Sequence, residues 1–369
     1  MEYRKLPHGR EQISIIGMGS SVVGEQKESD IIKTVEYALD AGINYFDMAG
    51  GHATIFPAYG KALAGRRKEA MLQVHFGANY TTGEYGWTTN LETVKRSVDW
   101  QLQNLQTDYI DFGFIHCLDE QSDLTTYEKN GILKYILSLQ EQGVVKYIGL
   151  STHAPELANK VLDMKVLDMK VLDMLMFSIN PMYDYGQGDF AIGNANERQN
   201  LYRRCEKEGV SISVMKPFNA GQLLDAHKSP FHQALTPAQC IQYALDKPGV
   251  LTVLGGPGNI AQLQEILTYL DTTPQERDYS IIGSFIPDDS VGKCVYCRHC
   301  HPCPAGLDIA LINKYYDLSM QGDILAKDHY LTLNKTASDC IQCGHCNKRC
   351  PFKVHQQERM VQIWDYFGK

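Results

Sequence analysis

The sequence predicts an α/β chain: a parallel (β/α)8 barrel over residues 1–284, followed by a small, mostly α-helical domain over residues 285–369. Two observations carry this expectation. Before residue 285, short apolar runs alternate with longer amphipathic stretches, and eight such strand–helix alternations close into a parallel barrel of the TIM type. After it, eight of the eleven cysteines crowd into two short runs.

The expected strands are ISIIGMG (13–19), INYFD (43–47), MLQVHF (71–76), YIDFGFIH (109–116), VKYIGLS (145–151), MLMFSIN (174–180), VSISVMK (210–216) and VLTVLGG (250–256). Between them lie helical patterns such as SDIIKTVEYALDAG, LETVKRSVDWQLQNL, LKYILSLQEQG, ERQNLYRRCEKEG and PAQCIQYALDKPG, several of them stopped by glycine. Chemistry in such barrels sits at the C-terminal strand ends. Polar residues gather there: Asp47, His75, His116, Ser151, Asn180 and Lys216. The loop HFGANYTTGEYGWTTN (75–90) is long and aromatic, and it puts Tyr80, Glu84, Tyr85 and Trp87 on the catalytic face, either over a substrate or in packing. Asp119 and Glu120 join the same rim. The repeat VLDMKVLDMKVLDM (161–174) has a five-residue period, which makes no helical stripe, so it reads as a slipped duplication lengthening one helix.

The cysteine runs are Cys294, Cys297, Cys300, Cys303 and Cys340, Cys343, Cys346, Cys350, each closed by a proline. The second has the C-x2-C-x2-C-x3-C-P spacing of bacterial two-cluster ferredoxins, and the first is one residue shorter. Two C-x2-C pairs alone would suit zinc, but two runs of this kind exceed what four-ligand zinc requires. The pattern predicts a ferredoxin-like domain with two [4Fe-4S] clusters. In those ferredoxins the fourth cysteine of one run serves the other cluster, which implies one set of Cys294, Cys297, Cys300 and Cys350 and another of Cys340, Cys343, Cys346 and Cys303. The interval between the runs reads as helical.

Composition excludes several classes. The formal net charge is −8, with no basic stripe, which argues against nucleic acid as a partner. No apolar run is long enough to span a bilayer, and the polar N-terminus MEYRKLPHGREQ lacks a signal-peptide core, so the expectation is a soluble cytoplasmic protein. Cys117, Cys205 and Cys240 fit a reducing compartment and read as packing residues.

In order and spacing, GINYFDMA, FGFIHC, YIGLSTH, SINP, VMKPFNAG and LGGPGNIAQLQEI resemble the aldo-keto reductases, above all the branch with a C-terminal ferredoxin-like module. The N-terminal YRKL…ISIIGMG resembles that family's bottom-capping hairpin. The resemblance implies general acid catalysis beside a hydride donor: a tyrosine protonates the carbonyl, a lysine paired with an aspartate tunes it, and a histidine orients the substrate. Asp47 and His116 match the aspartate and histidine. His52 stands where the family has tyrosine and His75 where it has lysine, while Tyr59 lies seven residues beyond His52.

The pocket of Asp47, His52, His75 and His116 thus has two active readings. One keeps redox chemistry, with His52 or His75 as proton donor. The other is a mononuclear metal site of a lyase or isomerase; an inert pocket is the third possibility. The resemblance further implies that Ser151, Thr152 and Asn180 grip a nicotinamide carboxamide. It also implies that Gly256, Gly258, Asn259, Gln262 and Glu265 form the cofactor edge, where a helix N-terminus offers a phosphate cradle. Lys216 would meet a pyrophosphate, and Met215 replaces the ring that stacks on nicotinamide.

The expected function is an oxidoreductase acting on a carbonyl or hydroxyl of a small-molecule substrate, with NADP(H) or NAD(H), with electrons delivered by the clusters, or with both. A barrel mouth can also take a flavin or a metal. An electron-transfer protein docking a redox partner is the remaining alternative.

Overall fold

The computed structural model describes residues 1–163, 172–185, 191–285, 291–294, 296, 298–320 and 324–369. The strands, in chain order, are β1 (Tyr3–Lys5), β2 (Gln12–Ser14), β3 (Ile16–Gly19), β4 (Tyr45–Asp47), β5 (Met71–Phe76), β6 (Ala78–Asn79), β7 (Gly86–Trp87), β8 (Ile110–Ile115), β9 (Val145–Thr152), β10 (Met174–Ser178), β11 (Ser211–Met215) and β12 (Val250–Gly255). Between and after them come α1 (Glu28–Asp40), α2 (Ile55–Ala62), α3 (Leu91–Leu105), α4 (Gln121–Lys129), α5 (Ile132–Glu141), α6 (Pro155–Asp163), α7 (Pro181–Asp184), α8 (Ala195–Glu208), α9 (Pro237–Leu245) and α10 (Ile260–Leu267). The C-terminal region adds α11 (Ile309–Met320), α12 (Ile324–Leu331), α13 (His345–Arg349) and α14 (Gln356–Phe367).

Strands β3, β4, β5, β8, β9, β10, β11 and β12 close into a barrel in that order. Each expected apolar run coincides with one of them to within a few residues, and the recorded pairings between neighbours are parallel. The hairpin β1–β2 pairs antiparallel, as the resemblance implied, and its Leu6 and Ile13 are buried in the barrel core with Tyr45, Phe112, Phe114, Met174 and Leu254. Close packing inside the barrel explains a glycine. A methyl on Gly149 would lie 2.4 Å from the Phe114 ring, so only glycine lets that ring fill the interior. Local signals set the helix starts: Asn90 caps α3 by accepting from Thr93 N at 3.0 Å, and Thr236 with Gln239 forms a capping box on α9.

The chain forms two compact units. The first comprises Met1–Ile179, Gly209–Pro217 and Leu251–Asp271, and it contains the barrel strands. The second comprises Asn180–Glu208, Phe218–Val250 and Thr272–Lys369, so α7, α8 and α9 belong with the C-terminal helices. Within it, Arg198 is fully buried. Its Nε donates to Asp184 at 2.8 Å, and that carboxylate also accepts from the hydroxyls of Tyr202 and Tyr243 at 2.6 and 2.7 Å. Buried charges require such pairing. Tyr330 stacks on Phe367 at 3.9 Å in a core with Leu307, Ile312, Met360 and Ile363.

The interval between the cysteine runs holds α11 and α12, in line with its helical pattern. Residues 164–171 of the five-residue repeat lie outside the described residues, as does Cys297. Among the described residues, no helix is long and apolar enough to cross a membrane.

Candidate functional site

Parallel barrel topology brings Asp47, His75 and His116 together at the C-terminal strand ends. Asp47 ends β4, His75 is the penultimate residue of β5, and His116 follows β8 directly. Asp47 Oδ1 lies 2.7 Å from His75 Nε2 and accepts from Gln73 Nε2 at 3.0 Å. Gln73 is held in turn by the Tyr45 hydroxyl at 2.5 Å on its Oε1. His75 Nδ1 lies 2.9 Å from His116 Nδ1, and His116 Nε2 lies 2.8 Å from the Tyr85 hydroxyl.

The hydrogen-bond pattern fixes the tautomers. A carboxylate only accepts, and the Gln73 amide nitrogen, 3.0 Å from His75 Nε2, turns its two protons to Asp47 Oδ1 and Met176 Sδ, so we assign the His75 proton to Nε2 and leave Nδ1 to accept. His116 then donates from Nδ1, and its Nε2 accepts from Tyr85. Burial drives the His116 imidazolium well below its ordinary pKa, with further repulsion from His75 and His153, so this ring is neutral at neutral pH. Burial, with the Cys117 charge adding, pushes the Tyr85 phenol up to about 12, so it keeps its proton.

Tyr85 reaches His116 because its loop is built as a small sheet. β6 and β7 pair antiparallel, and the neighbouring 51–53 segment is laced onto them by Tyr85 N to Gly51 O at 2.9 Å and Ala53 N to Gly83 O at 3.0 Å. Trp87 Nε1 adds a 3.4 Å bond to the His116 carbonyl. The same lacing pairs the backbone of His52 with that of Glu84. The His52 side chain lines an open cavity of about 640 Å³ with Glu25, Gln26, Thr54, Thr82 and Glu84. Among the hydrogen bonds of the described residues, His52 has no part in the Asp47–His75–His116 chain. Tyr59 is fully buried in α2, edge-on to Phe46, and its hydroxyl has no hydrogen-bond partner among the described residues.

A second polar group lies on the same rim. Asp119 accepts from Thr152 Oγ1 at 3.0 Å, His153 N at 2.6 Å and His153 Nδ1 at 2.9 Å. Burial pushes the Asp119 carboxyl up, but these bonds from His153 and Thr152 outweigh it and hold the carboxyl below its usual range. Among the described residues the ligand-type atoms that converge within 4.8 Å are those of Cys117, Asp119 and His153, not those of Asp47, His52, His75 and His116. Since its carboxylate is already hydrogen-bonded on both oxygens, we assign the Asp119 group the part of a brace between the β8 and β9 ends.

The expected cofactor residues are placed as follows. Ser151 and Thr152 are buried at the end of β9, and Lys216, just after β11, is half-buried with φ +56°. Burial lowers the Lys216 pKa, against the pull of Cys117 and Asp119. Asn259 caps α10 by accepting from Gln262 N at 3.0 Å, and Gln262 Oε1 accepts from Gly258 N at 2.7 Å. Gly256, Asn259, Gln262 and Glu265 are exposed around that helix start. An ammonium and a helix N-terminus are the donor set an anionic pyrophosphate needs, so these residues fit that end of a nicotinamide cofactor. The ring end fits less well: Met215 is packed into the barrel core. Asn180, in the second unit, uses its amide oxygen to cap α7 through Tyr183 N at 2.9 Å.

Also in the second unit, Cys303, Cys340, Cys343 and Cys346 line one apolar cavity with Leu307 and Met360, and Cys300 reaches its wall as well. Burial raises the Cys346 thiol, with Cys340 and Cys343 among its charged neighbours. Burial likewise pushes Cys294 up to about 12, with Cys350 among the contributing charges. Thus Cys303 sits with the second run while Cys350 lies near Cys294. Amide donors approach the sulfurs, from Val354 N to Cys350 at 3.4 Å and from Gln342 Nε2 to Cys340 at 3.6 Å. Free thiols with apolar walls and N–H donors fit thiolate-held iron–sulfur clusters.

The aldo/keto reductase family model matches residues 15–238, more than half of the chain, and the 4Fe-4S dicluster domain model matches residues 290–354. The chain belongs to the aldo/keto reductase family. It is an oxidoreductase of that family with a C-terminal 4Fe-4S dicluster domain. It is 24% identical over 288 residues to the uncharacterized oxidoreductase YqkF of Bacillus subtilis, covering 72% of this chain and 90% of that protein. It is also 24% identical over 297 residues to the L-galactose dehydrogenase of Arabidopsis thaliana, covering 72% and 86%. The aldo-keto reductase AKR11C1 of Bacillus halodurans superposes with a TM-score of 0.60 at 21% identity, over 78% of this chain and 97% of that one.

One residue of this aldo/keto reductase site escapes sequence reasoning, and another is given its partner only by the structure. Gln73 shares the inward face of β5 with His75, two residues away, which is the signal that marks it. Tyr85 belongs to the long aromatic loop, but no sequence signal pairs it with His116.

Proposed function

We propose that this aldo/keto reductase interconverts a carbonyl and a hydroxyl on a small polar molecule with NADP(H) or NAD(H), and that histidines stand in the places of the family's tyrosine and lysine. The carrying observation is the buried hydrogen-bonded chain Asp47–His75–His116 at the barrel's C-terminal end. His75 occupies the lysine's place beside the aspartate. His52, in the tyrosine's place, contributes to the polar cavity wall instead. That wall of carboxylates, hydroxyls and amides favours a hydroxylated or cationic substrate over an apolar one. The dehydrogenation of a sugar named for the Arabidopsis relative supports the same class.

Lys216, Gly256, Gly258, Asn259, Gln262 and Glu265 would hold the phosphate side of the cofactor, with Ser151 and Thr152 toward the carboxamide. Once bound, a nicotinamide supplies or takes a hydride. The residues of the chain orient the carbonyl and move the proton. We propose further that the C-terminal domain carries two [4Fe-4S] clusters, on Cys294, Cys297, Cys300 and Cys350 and on Cys340, Cys343, Cys346 and Cys303. Such clusters pass single electrons and suit exchange with a redox partner protein.

The test is a fluorescence titration of anaerobic, cluster-replete protein with NADPH and NADH. Saturable binding that weakens in Lys216→Ala is expected. Absence of binding by either nucleotide refutes the nicotinamide reading.

A further inference from the structure

We propose that Tyr85 is the catalytic proton donor of this barrel, and that Asp47, His75 and His116 form a one-proton store filled and emptied through it. This rests on the oxidoreductase reading above and names the group that reading leaves open. The donor comes from the β6–β7 loop, far in sequence from the family's tyrosine position at His52.

The first argument is continuity. Asp47 Oδ1, His75 Nε2 and Nδ1, His116 Nδ1 and Nε2, and the Tyr85 oxygen form one unbroken line with steps of 2.7, 2.9 and 2.8 Å. The second is access. Asp47, His75 and His116 are 4%, 1% and 7% exposed, whereas Tyr85 is 42% exposed. Of the four, only Tyr85 can touch a substrate or take a proton from water.

The third is that one added proton reverses the whole line. At rest, with both imidazoles neutral, every proton points inward, from Tyr85 to His116, from His116 to His75 and from His75 to Asp47. With a proton added on His75 Nδ1, that imidazolium is held against the Asp47 carboxylate and donates to His116 Nδ1. His116 then carries its proton on Nε2 and donates to the Tyr85 oxygen, which frees the phenolic proton to face outward. Charge rests on His75 rather than His116 because the carboxylate contacts only the former.

In carbonyl reduction the loaded line discharges. With a reduced nicotinamide as the hydride source, the carbonyl carbon would take the hydride while its oxygen would take the Tyr85 proton, so that the C=O π bond would break and C–H and O–H bonds would form. Tyr85 is reprotonated from His116 Nε2, and His116 Nδ1 takes the proton of His75 Nδ1. The store ends one proton short, which is the resting arrangement, and Tyr85 passes in a solvent proton to load it for the next reduction. Alcohol oxidation runs the same steps in reverse.

Among the described residues, these groups face the line. Cys117, Tyr80 and Tyr127 face Tyr85; His153 and Asp119 face His116; Gln73 and Phe114 flank His75; and the hydroxyl-bearing rings of Tyr45, Tyr59 and Tyr80 face Asp47. Tyr85 itself is fixed from the backbone by its bond to Gly51, so removing its hydroxyl leaves the loop in place.

The test is Tyr85→Phe in the cluster-replete protein, assayed with NADPH and 4-nitrobenzaldehyde. Loss of a general acid lowers kcat by about 10²–10⁴-fold, and the solvent deuterium isotope effect expected of wild type should be absent from the variant while the NADPH Kd is unchanged. A readout free of turnover is the ¹⁵N spectrum of the imidazoles at neutral pH, with His116 and His75 assigned through His116→Gln and His75→Gln. His116 should be the Nδ1–H tautomer, and its Nε2 resonance should move in Tyr85→Phe. Wild-type kcat in Tyr85→Phe, or a resting His116 protonated on Nε2, overturns the proposal. A wild-type protein that binds neither nucleotide sinks the parent reading as well, whereas full turnover of the variant beside a binding-competent wild type sinks this one alone.

Discussion

Gly149→Ala tests how the barrel interior supports the site. The new methyl carbon falls 2.4 Å from Phe114 Cε2 and Cζ and 2.7 Å from Cδ2. Carbon atoms in contact rest about 3.5–4.0 Å apart, so the ring must retreat by about 1 Å or more. It has little room, being fully buried in the barrel core, and its centroid is 5.6 Å from that of His75. Overpacking of this kind costs about 1–3 kcal/mol, and each kcal/mol lowers Tm by about 2–4 °C in a domain of 150–250 residues. The displaced ring also pushes on His75, whose hydrogen bonds to Asp47 and His116 depend on its position. Thermal melts by circular dichroism and turnover on the cluster-replete variant should therefore show a lower Tm together with a lower kcat. Gly51→Ala, where an added methyl meets nothing within 4 Å, serves as the control. Adding Phe114→Leu should recover part of the lost stability, since the two positions contact directly. An unchanged Tm in Gly149→Ala, or an equal loss in Gly51→Ala, refutes the packing argument.

His52→Ala should raise KM with kcat largely kept, because His52 lines the cavity and stands outside the proton line; steady-state kinetics that show kcat abolished would return His52 to the chemistry. The depressed carboxyl of Asp119 stabilises the fold above the unfolded value near 3.9, and that contribution is lost as pH falls through the folded value. Asp119→Asn should accordingly flatten the acid limb of stability below about pH 4, as read from Tm against pH. Cys303→Ser and Cys340→Ser should damage the same cluster, each losing about half of the iron and sulfide and giving matching electron paramagnetic resonance spectra after reduction. Different residual spectra would contradict the exchanged ligand sets.

The barrel was legible because its signals are local. Short apolar runs such as MLQVHF and VSISVMK, separated by amphipathic helices with glycine stops, depend on side-chain periodicity within a few residues. Parallel topology then requires their C-terminal ends to meet, so Asp47, His75 and His116 were identifiable as neighbours before any coordinate. The cysteine spacing worked in the same way, since cluster geometry is written into short intervals. The adjacency of Cys303 to Cys340, Cys343 and Cys346 was legible only through the ferredoxin pattern.

The sequence alone thus determined the strand set, the meeting of Asp47, His75 and His116 at one end of the barrel, and the cysteine runs of the 4Fe-4S dicluster domain. Tertiary structure decided which of the remaining residues meet. His52 and Tyr59 lie near Asp47 in sequence, yet backbone pairing with Glu84 turns His52 to the cavity wall and the packing of α2 buries Tyr59. Tyr85 reaches His116 from 31 residues away because loop-to-loop backbone bonds, Tyr85 N to Gly51 O among them, set its place. Such bonds join segments whose own sequences carry no periodic signal, so their pairing is decided by the energy of the assembled fold and not by any short stretch of chain.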